Sequence, residues 1–285
     1  MPDATHPLRE DRGSDRGRLV TFPGEHRDAS PPNNLPLELS SFVGREKELA
    51  EVKRLLENTR LLTLTGSGGC GKTRLALAAA GELVEDFEDG VWLVDLAPLA
   101  DPSLVPQAIA STLGVREQPG HMLIETLSDY FGFKKVLLVL DNCEHLIEAC
   151  AELAEALLHS CPELRVLTTS REALGITGEV AWVVPSLSLP DLRRLPGIDS
   201  LPLYESARLF VERAAAVNPT FALTEQNATA VAQICYRLDG IPLAIELAAA
   251  RVKVLPVEQL SERLDNSFGL LAAGSRMAMP RHRTL

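Results

Sequence analysis

Leu61-Leu62-Thr63-Leu64-Thr65 runs without a break into Gly66-Ser67-Gly68-Gly69-Cys70-Gly71-Lys72-Thr73 and then into Arg74-Leu75-Ala76-Leu77-Ala78-Ala79-Ala80. The first five residues are apolar or β-branched and read as a buried strand; the last seven are mostly strong helix formers. Between them the spacing G-x-x-x-x-G-K-T is that of a phosphate-binding P-loop. Glycines are needed because consecutive backbone N–H groups must turn inward around phosphate oxygens, in conformations and at distances that a Cβ would obstruct. In such a loop Lys72 reaches the β- and γ-phosphates and Thr73 offers a hydroxyl to Mg²⁺. The helix that begins near Arg74 adds backbone donors and a favourable dipole. The binding set is therefore Gly66, Ser67, Gly68, Gly69, Cys70, Gly71, Lys72, Thr73 and Arg74.

A site of this kind needs an acid opposite the loop. Lys135-Val136-Leu137-Leu138-Val139-Leu140-Asp141 is an apolar run ending in one carboxylate, as expected of a central parallel strand buried on both faces. Ligands of such sheets bind beyond the carboxyl ends of the strands, which brings Asp141 to the metal beside Thr73. The other reading, an Asp that merely starts the next helix, loses weight with a P-loop upstream. Leu164-Arg165-Val166-Leu167-Thr168-Thr169-Ser170-Arg171 predicts a strand ending on the same rim. Arg171 suits a bidentate contact with a γ-phosphate, and it equally suits a solvated strand end.

Further strands are expected at Val91-Trp92-Leu93-Val94-Asp95-Leu96 and Val180-Ala181-Trp182-Val183-Val184. Helices are expected from Phe42-Val43-Gly44-Arg45-Glu46 onward with Leu49, Val52, Leu55 and Leu56 on one face, from Asp101 to Leu113, from Ile124 to Phe131 and from Cys143 to His159. The alternation of strand and helix stops near Pro190. Beyond it Leu203, Ala207, Phe210, Val211 and Ala214 mark one helix, and Val231, Ile234, Cys235 and Leu238 a second. Pro242 opens a third through Val254, and Val257 to Leu264 is a short fourth. The expected organisation is a disordered leader over 1–34, an α/β nucleotide-binding domain over 35–192, an all-helical domain over 200–272, and the start of a further domain over 273–285.

The chain has 285 residues, 46% of them hydrophobic, enough for a sizeable core. Its formal net charge of −11 argues against direct nucleic-acid binding by this segment and against attraction to an anionic membrane. The five cysteines (Cys70, Cys143, Cys150, Cys161 and Cys235) are scattered, with no zinc spacing, and read as reduced cytosolic thiols. Cys70 inside the loop is either a small filler or an oxidation sensor. No signal peptide or membrane span is visible, so the expected location is the cytoplasm.

The motifs Phe42-Val43-Gly44-Arg45-Glu46, the P-loop, Leu138-Val139-Leu140-Asp141-Asn142, Thr168-Thr169-Ser170-Arg171 and Asp239-Gly240-Ile241-Pro242-Leu243-Ala244 occur in that order. Together they resemble the NB-ARC type of STAND ATPase, and more closely the nucleotide-binding module of bacterial LuxR-like transcriptional regulators. The resemblance implies a P-loop NTPase sheet of strand order 5-1-4-3-2 with ATP or ADP and Mg²⁺ as ligands. It implies that Val43 and Arg45 lie near the adenine, that Arg171 acts as a sensor, and that Pro242 closes over the base. It also implies a C-terminal winged helix and effector domains beyond this chain, with self-assembly of the full-length protein.

One departure bears on chemistry. Where many ATPases of this class place a second acid after the metal-binding Asp, this chain has Asn142, which cannot take a proton at neutral pH. Glu144 is the nearest substitute, and it equally suits a first-turn acid that favours the helix dipole. Weak positioning of water fits a slow ADP/ATP switch, the leading function. The alternatives are a turnover-driven P-loop ATPase or phosphotransferase, for which no substrate lid is evident, and an AAA+-like DNA-associated ATPase, against which the acidic balance speaks.

Overall fold

Successive side chains of a strand point to opposite faces of a sheet, so a strand that is apolar throughout needs cover on both sides. The computed structural model, which describes residues 31–37 and 40–264, shows how that cover is supplied. Five parallel strands, β1 (Leu61–Thr65), β2 (Val91–Asp95), β3 (Leu137–Asp141), β4 (Arg165–Thr169) and β5 (Glu179–Val183), form one sheet in the order β2-β3-β4-β1-β5. This is the expected 5-1-4-3-2 order. Leu138 and Leu140 of β3 enter the cluster built by α3 (Val105–Leu113), α4 (Leu123–Phe131) and α5 (Ile147–Ser160). Their neighbours Leu137 and Val139 enter the opposite cluster, with Val52 and Leu56 of α1 (Glu46–Asn58) and Leu75, Ala76, Ala79 and Ala80 of α2 (Lys72–Glu82). The small residues of α2 let it lie close on the strands it follows.

A third cluster, around Ala207, Phe210, Ile234, Cys235, Ile245 and Ala249, is the core of α6 (Glu205–Val217), α7 (Glu225–Arg237), α8 (Pro242–Ala250) and the helical stretch 257–264. Here the structure departs from the periodicity in three details. Leu203 precedes α6 and is 80% exposed, so Leu201, buried, fills the place expected of it. The helix expected from Cys143 is a single 3-10 turn, Cys143–His145, before α5, because Asn142 at φ 63 turns the chain left-handed at the strand end. α8 stops at Ala250 and Arg251–Lys253 forms another 3-10 turn, short of Val254.

Two further features fix the frame. Asn33, expected in the leader, bridges to Val91, and the Asn34 side chain exchanges two hydrogen bonds with the backbone of Leu93 (2.7 and 2.8 Å), which covers the free edge of β2. The expected leader up to residue 30, the end of the helical domain at 272 and the start of the next domain at 273–285 lie outside the described residues. Among the described residues no helix is long and apolar enough to cross a membrane.

α7 ends on two left-handed residues, Asp239 (φ 50) and Gly240 (φ 67), and the turn they make receives the linker through a hydrogen bond from Leu187 N–H to the Gly240 carbonyl (3.0 Å). A Cβ on Gly240 would lie 2.4 Å from the Leu187 carbonyl oxygen. Gly240→Ala is expected to cost about 2–4 kcal/mol from backbone strain and overpacking together. A urea titration that gave an unchanged midpoint would contradict this.

Candidate functional site

The loop after β1 is shaped by left-handed glycines: Gly66, Gly69 and Gly71 have φ of 143, 79 and 95°. Gly71 stands at the N-terminus of α2, and no side chain caps that end, so its first-turn N–H groups remain for a ligand. Lys72, 9% exposed, curls back so that Nζ donates to the carbonyls of Gly66 (3.0 Å) and Ser67 (3.2 Å). An ammonium has three donors, so one proton is left over. Cys70 turns its side chain into the core below the loop, which is the filler role rather than the sensor role. Burial also raises the Cys235 thiol, to about 12.

Asp141, 5% exposed, ends β3 facing α2. Its Oδ1 accepts from the Thr73 hydroxyl (2.8 Å) and from the Thr169 hydroxyl, and its Oδ2 from the Asn142 amide (3.0 Å). Thr169 accepts in turn from the Asn142 backbone N–H (3.0 Å). β4 lies between β1 and β3, so Thr169 at its end joins the two halves of the site. A hydroxyl and a carboxylate at hydrogen-bond distance form a hard oxygen pair of the kind that holds Mg²⁺ together with water and phosphate oxygens. Thr73 and Asp141 therefore fit a Mg²⁺ ion. Among the described residues no cluster of three or more His, Cys, Asp or Glu side chains offers an all-protein metal cage.

Arg171 and Glu144, read separately from sequence, meet. Arg171 Nε donates to Glu144 Oε1 (3.3 Å), and Arg171 Nη2 lies 4.0 Å from where a Cβ on Gly68 would sit. Glu144 Oε2 is buried with no hydrogen-bond partner.

The remaining wall comes from the hinge before α1 and from the helical unit. Arg45, 3% exposed and left-handed at φ 71, donates from Nη2 to the Cys70 carbonyl (2.9 Å), and its backbone N–H donates to Glu205 Oε1 (2.7 Å). Its Nη1 has no hydrogen-bond partner; the nearest carboxylate oxygen, Glu48 Oε1, is 3.9 Å away. Burial lowers the Arg45 pKa, while Glu48 and Glu205 oppose the shift. Burial pushes the Glu205 carboxyl up, but hydrogen bonds from Ser188 and Arg45 outweigh it and hold the group below its ordinary value. Val43 packs on the core of the helical unit.

From the other side α8 stands on the loop. Leu243 N–H donates to the Gly69 carbonyl (3.2 Å), and Pro242 Cγ is 3.7 Å from where a Gly71 Cβ would be. Arg74 reaches Ser40 and Ser41 carbonyls and Glu246 of α8 (3.4 Å), which also accepts from Arg213 Nε (3.0 Å). These parts enclose a cavity of about 410 Å³ lined by Val43, Arg45, Gly68, Gly69, Gly71, Lys72, Thr73, Arg74, Glu144, Arg171 and Pro242 among others. Of the residues expected in the site, Asp141, Gly66, Ser67 and Cys70 support this cavity without lining it. Thr169, Glu205, Glu246 and Arg213 were not legible as site residues. Thr169 had a signal in its place beside Arg171 at the strand end, whereas the other three lie far along the chain and carry no motif of their own.

A parallel sheet of this strand order with a glycine loop leading into a helix and an acid at the end of a central strand is the fold of P-loop NTPases. Residues 54–176 match the family described as AAA domain. Over 234 residues the chain is 45% identical to a protein of Mycobacterium tuberculosis named an HTH-type transcriptional regulator; the match covers 82% of this chain and 25% of that protein. Over 247 residues it is 44% identical to an uncharacterized protein of the same organism, covering 87% of this chain and 60% of that one. The chain thus spans only part of the length of the relatives it matches. Among solved structures, the ORC2 protein of Aeropyrum pernix, determined as ADPNP and ADP complexes, shares the fold with a TM-score of 0.51 at 15% identity, covering 84% of this chain and 70% of that chain.

Proposed function

We propose that this chain is the adenine-nucleotide-binding switch module of a larger bacterial regulator, of the NB-ARC/STAND and LuxR-like kind, with ATP hydrolysis that is slow and serves to reset it. The observation that carries this reading is the hydrogen bond from Leu243 of α8 to Gly69 of the phosphate loop, across the mouth of a cavity lined by both units. A ligand can bias a conformational equilibrium only through contacts that differ between the states, and a nucleotide in this cavity touches the sheet and the helical unit at once.

In this reading the loop N–H groups and Lys72 hold the phosphates, and Thr73 and Asp141 would hold Mg²⁺, which would neutralise phosphate charge. Val43, Arg45 and Pro242, which line the cavity together, would be the neighbours of the base. Arg171 is placed to exchange Glu144 for a γ-phosphate. The amide of Asn142, which cannot take a proton at neutral pH, stands where many ATPases of this class have a second acid, which supports slow rather than fast turnover. The regulator-named relative supports a role in transcription for the whole protein, whose further domains would carry the output and any self-assembly.

The test is the nucleotide released when the purified protein is denatured, together with its turnover number. Bound ADP or ATP with turnover well below the ~10 s⁻¹ typical of enzymes is expected. Absence of any adenine nucleotide under saturating conditions, or turnover at enzyme-like rates, would move the assignment to a turnover-driven ATPase or to another ligand.

A further inference from the structure

The first residue of α6 ties the helical unit to the hinge. Glu205 Oε1 accepts the Arg45 backbone N–H at 2.7 Å, and Glu205 Oε2 accepts the Ser188 backbone N–H at 3.0 Å. The Ser188 hydroxyl accepts the Glu205 backbone N–H in return, at 2.9 Å. One carboxylate therefore joins three segments: the hinge, the linker after β5 and the start of α6. Space is reserved for it, since a Cβ on Gly44 would sit 2.8 Å from both Glu205 Cγ and Oε1, and Gly44 is itself left-handed at φ 72. Arg45 is held in a left-handed conformation that an arginine seldom adopts without outside help. Its backbone N–H is bound by Glu205 while its guanidinium grips the Cys70 carbonyl inside the phosphate loop.

We infer that Glu205 is a positioning residue for nucleotide binding, acting through Arg45: it fixes the hinge so that the Arg45 guanidinium braces the phosphate loop at the Cys70 carbonyl. This rests on the nucleotide reading of the cavity. It adds a direct path by which the orientation of α6 is felt at the loop, separate from the contact of α8 with Gly69. Glu205 does not itself line the cavity, and its carboxylate reaches the lining directly at Arg45.

The experiment is a double-mutant cycle on ADP affinity, measured by calorimetry on the full chain, with thermal melts of every variant. Glu205→Ala is expected to weaken ADP binding roughly tenfold or more, the scale of losing hydrogen bonds to a charged group. Glu205→Gln keeps one carbonyl acceptor for Arg45 N–H but turns a donor toward Ser188 N–H, so it should restore part of that loss. In an Arg45→Ala background the Glu205 substitutions should have little further effect, because coupled residues are not additive. A purely structural role would lower the melting temperature and give losses that add to those of Arg45→Ala. Full-strength binding by Glu205→Ala, additive losses, or absence of partial rescue by Gln would overturn the inference. Should the Ala variant not fold, the cycle with Glu205→Gln decides alone. A wild type that binds no ADP refutes the nucleotide reading itself, whereas a wild type that binds, a Lys72→Ala variant that does not, and a Glu205 series without effect refute only the role of Glu205.

Discussion

Replacing Lys72 by alanine is expected to lower ADP and ATP affinity by at least about 100-fold. A hydrogen bond from a charged donor contributes about 1.5–3 kcal/mol, and in the phosphate-loop reading the remaining Lys72 proton makes one such contact while its charge attracts the phosphates as a whole, so a loss of about 3 kcal/mol follows. The rest of the molecule cannot compensate, since the chain carries a net charge of −11 and repels a polyphosphate at long range. The fold should survive: among the described residues Nζ bonds only the Gly66 and Ser67 carbonyls, and Lys72 itself lines the cavity, so water can take its place. Calorimetry showing equal ADP affinity in the wild type and Lys72→Ala would remove the phosphate-cradle reading.

The second large effect is expected at Asp141. In Asp141→Asn the retained carbonyl can still accept from Thr73 or Thr169, but the new amide faces the Asn142 Nδ2 donor and the charge that attracts a divalent ion is gone. Mg²⁺-dependent ATP hydrolysis should fall by about 100-fold, the order expected when a metal's charge stabilisation is lost. ADP binding in EDTA should stay within about twofold, because Asp141 contacts the loop through Thr73 and does not line the cavity. Equal hydrolysis by the two forms would take Asp141 out of the site, and loss of ADP binding in EDTA would make it a structural support of the loop instead.

How far these residues could be read in advance depended on how local their signals are. The P-loop is a contiguous pattern in which each position has its own steric or electrostatic reason, so Gly66 to Thr73 were legible from spacing alone. Asp141 was legible because it is the one acid of an apolar run and stands at its end. Strand boundaries followed the apolar runs to within two residues: β3 begins at Leu137 and β4 ends at Thr169, inside their runs, and β5 begins one residue earlier, at Glu179, whose carboxylate accepts from the Thr63 hydroxyl (2.5 Å) and from the backbone of Leu174 and Gly175. Leu203 misled the periodicity because a helix-spaced leucine just ahead of an N-terminus has no helix yet to place it on a face.

By itself the sequence determined the class of fold, the phosphate loop, the acid opposite it and the change from alternating strands and helices to helices alone, because each of these is set by local stereochemistry or by burial on a known period. Only the tertiary structure decided that Glu144 is bound by Arg171, that Leu243 closes on Gly69, and that Glu205 reaches back 160 residues to hold Arg45. Those contacts join residues distant in the chain through single side chains or single backbone groups, and no repeat or spacing announces them. They exist because folding brings the hinge, the linker and the first turn of α6 to the same few ångströms, where a buried guanidinium and a half-buried carboxylate must find partners or carry the cost of lost hydration.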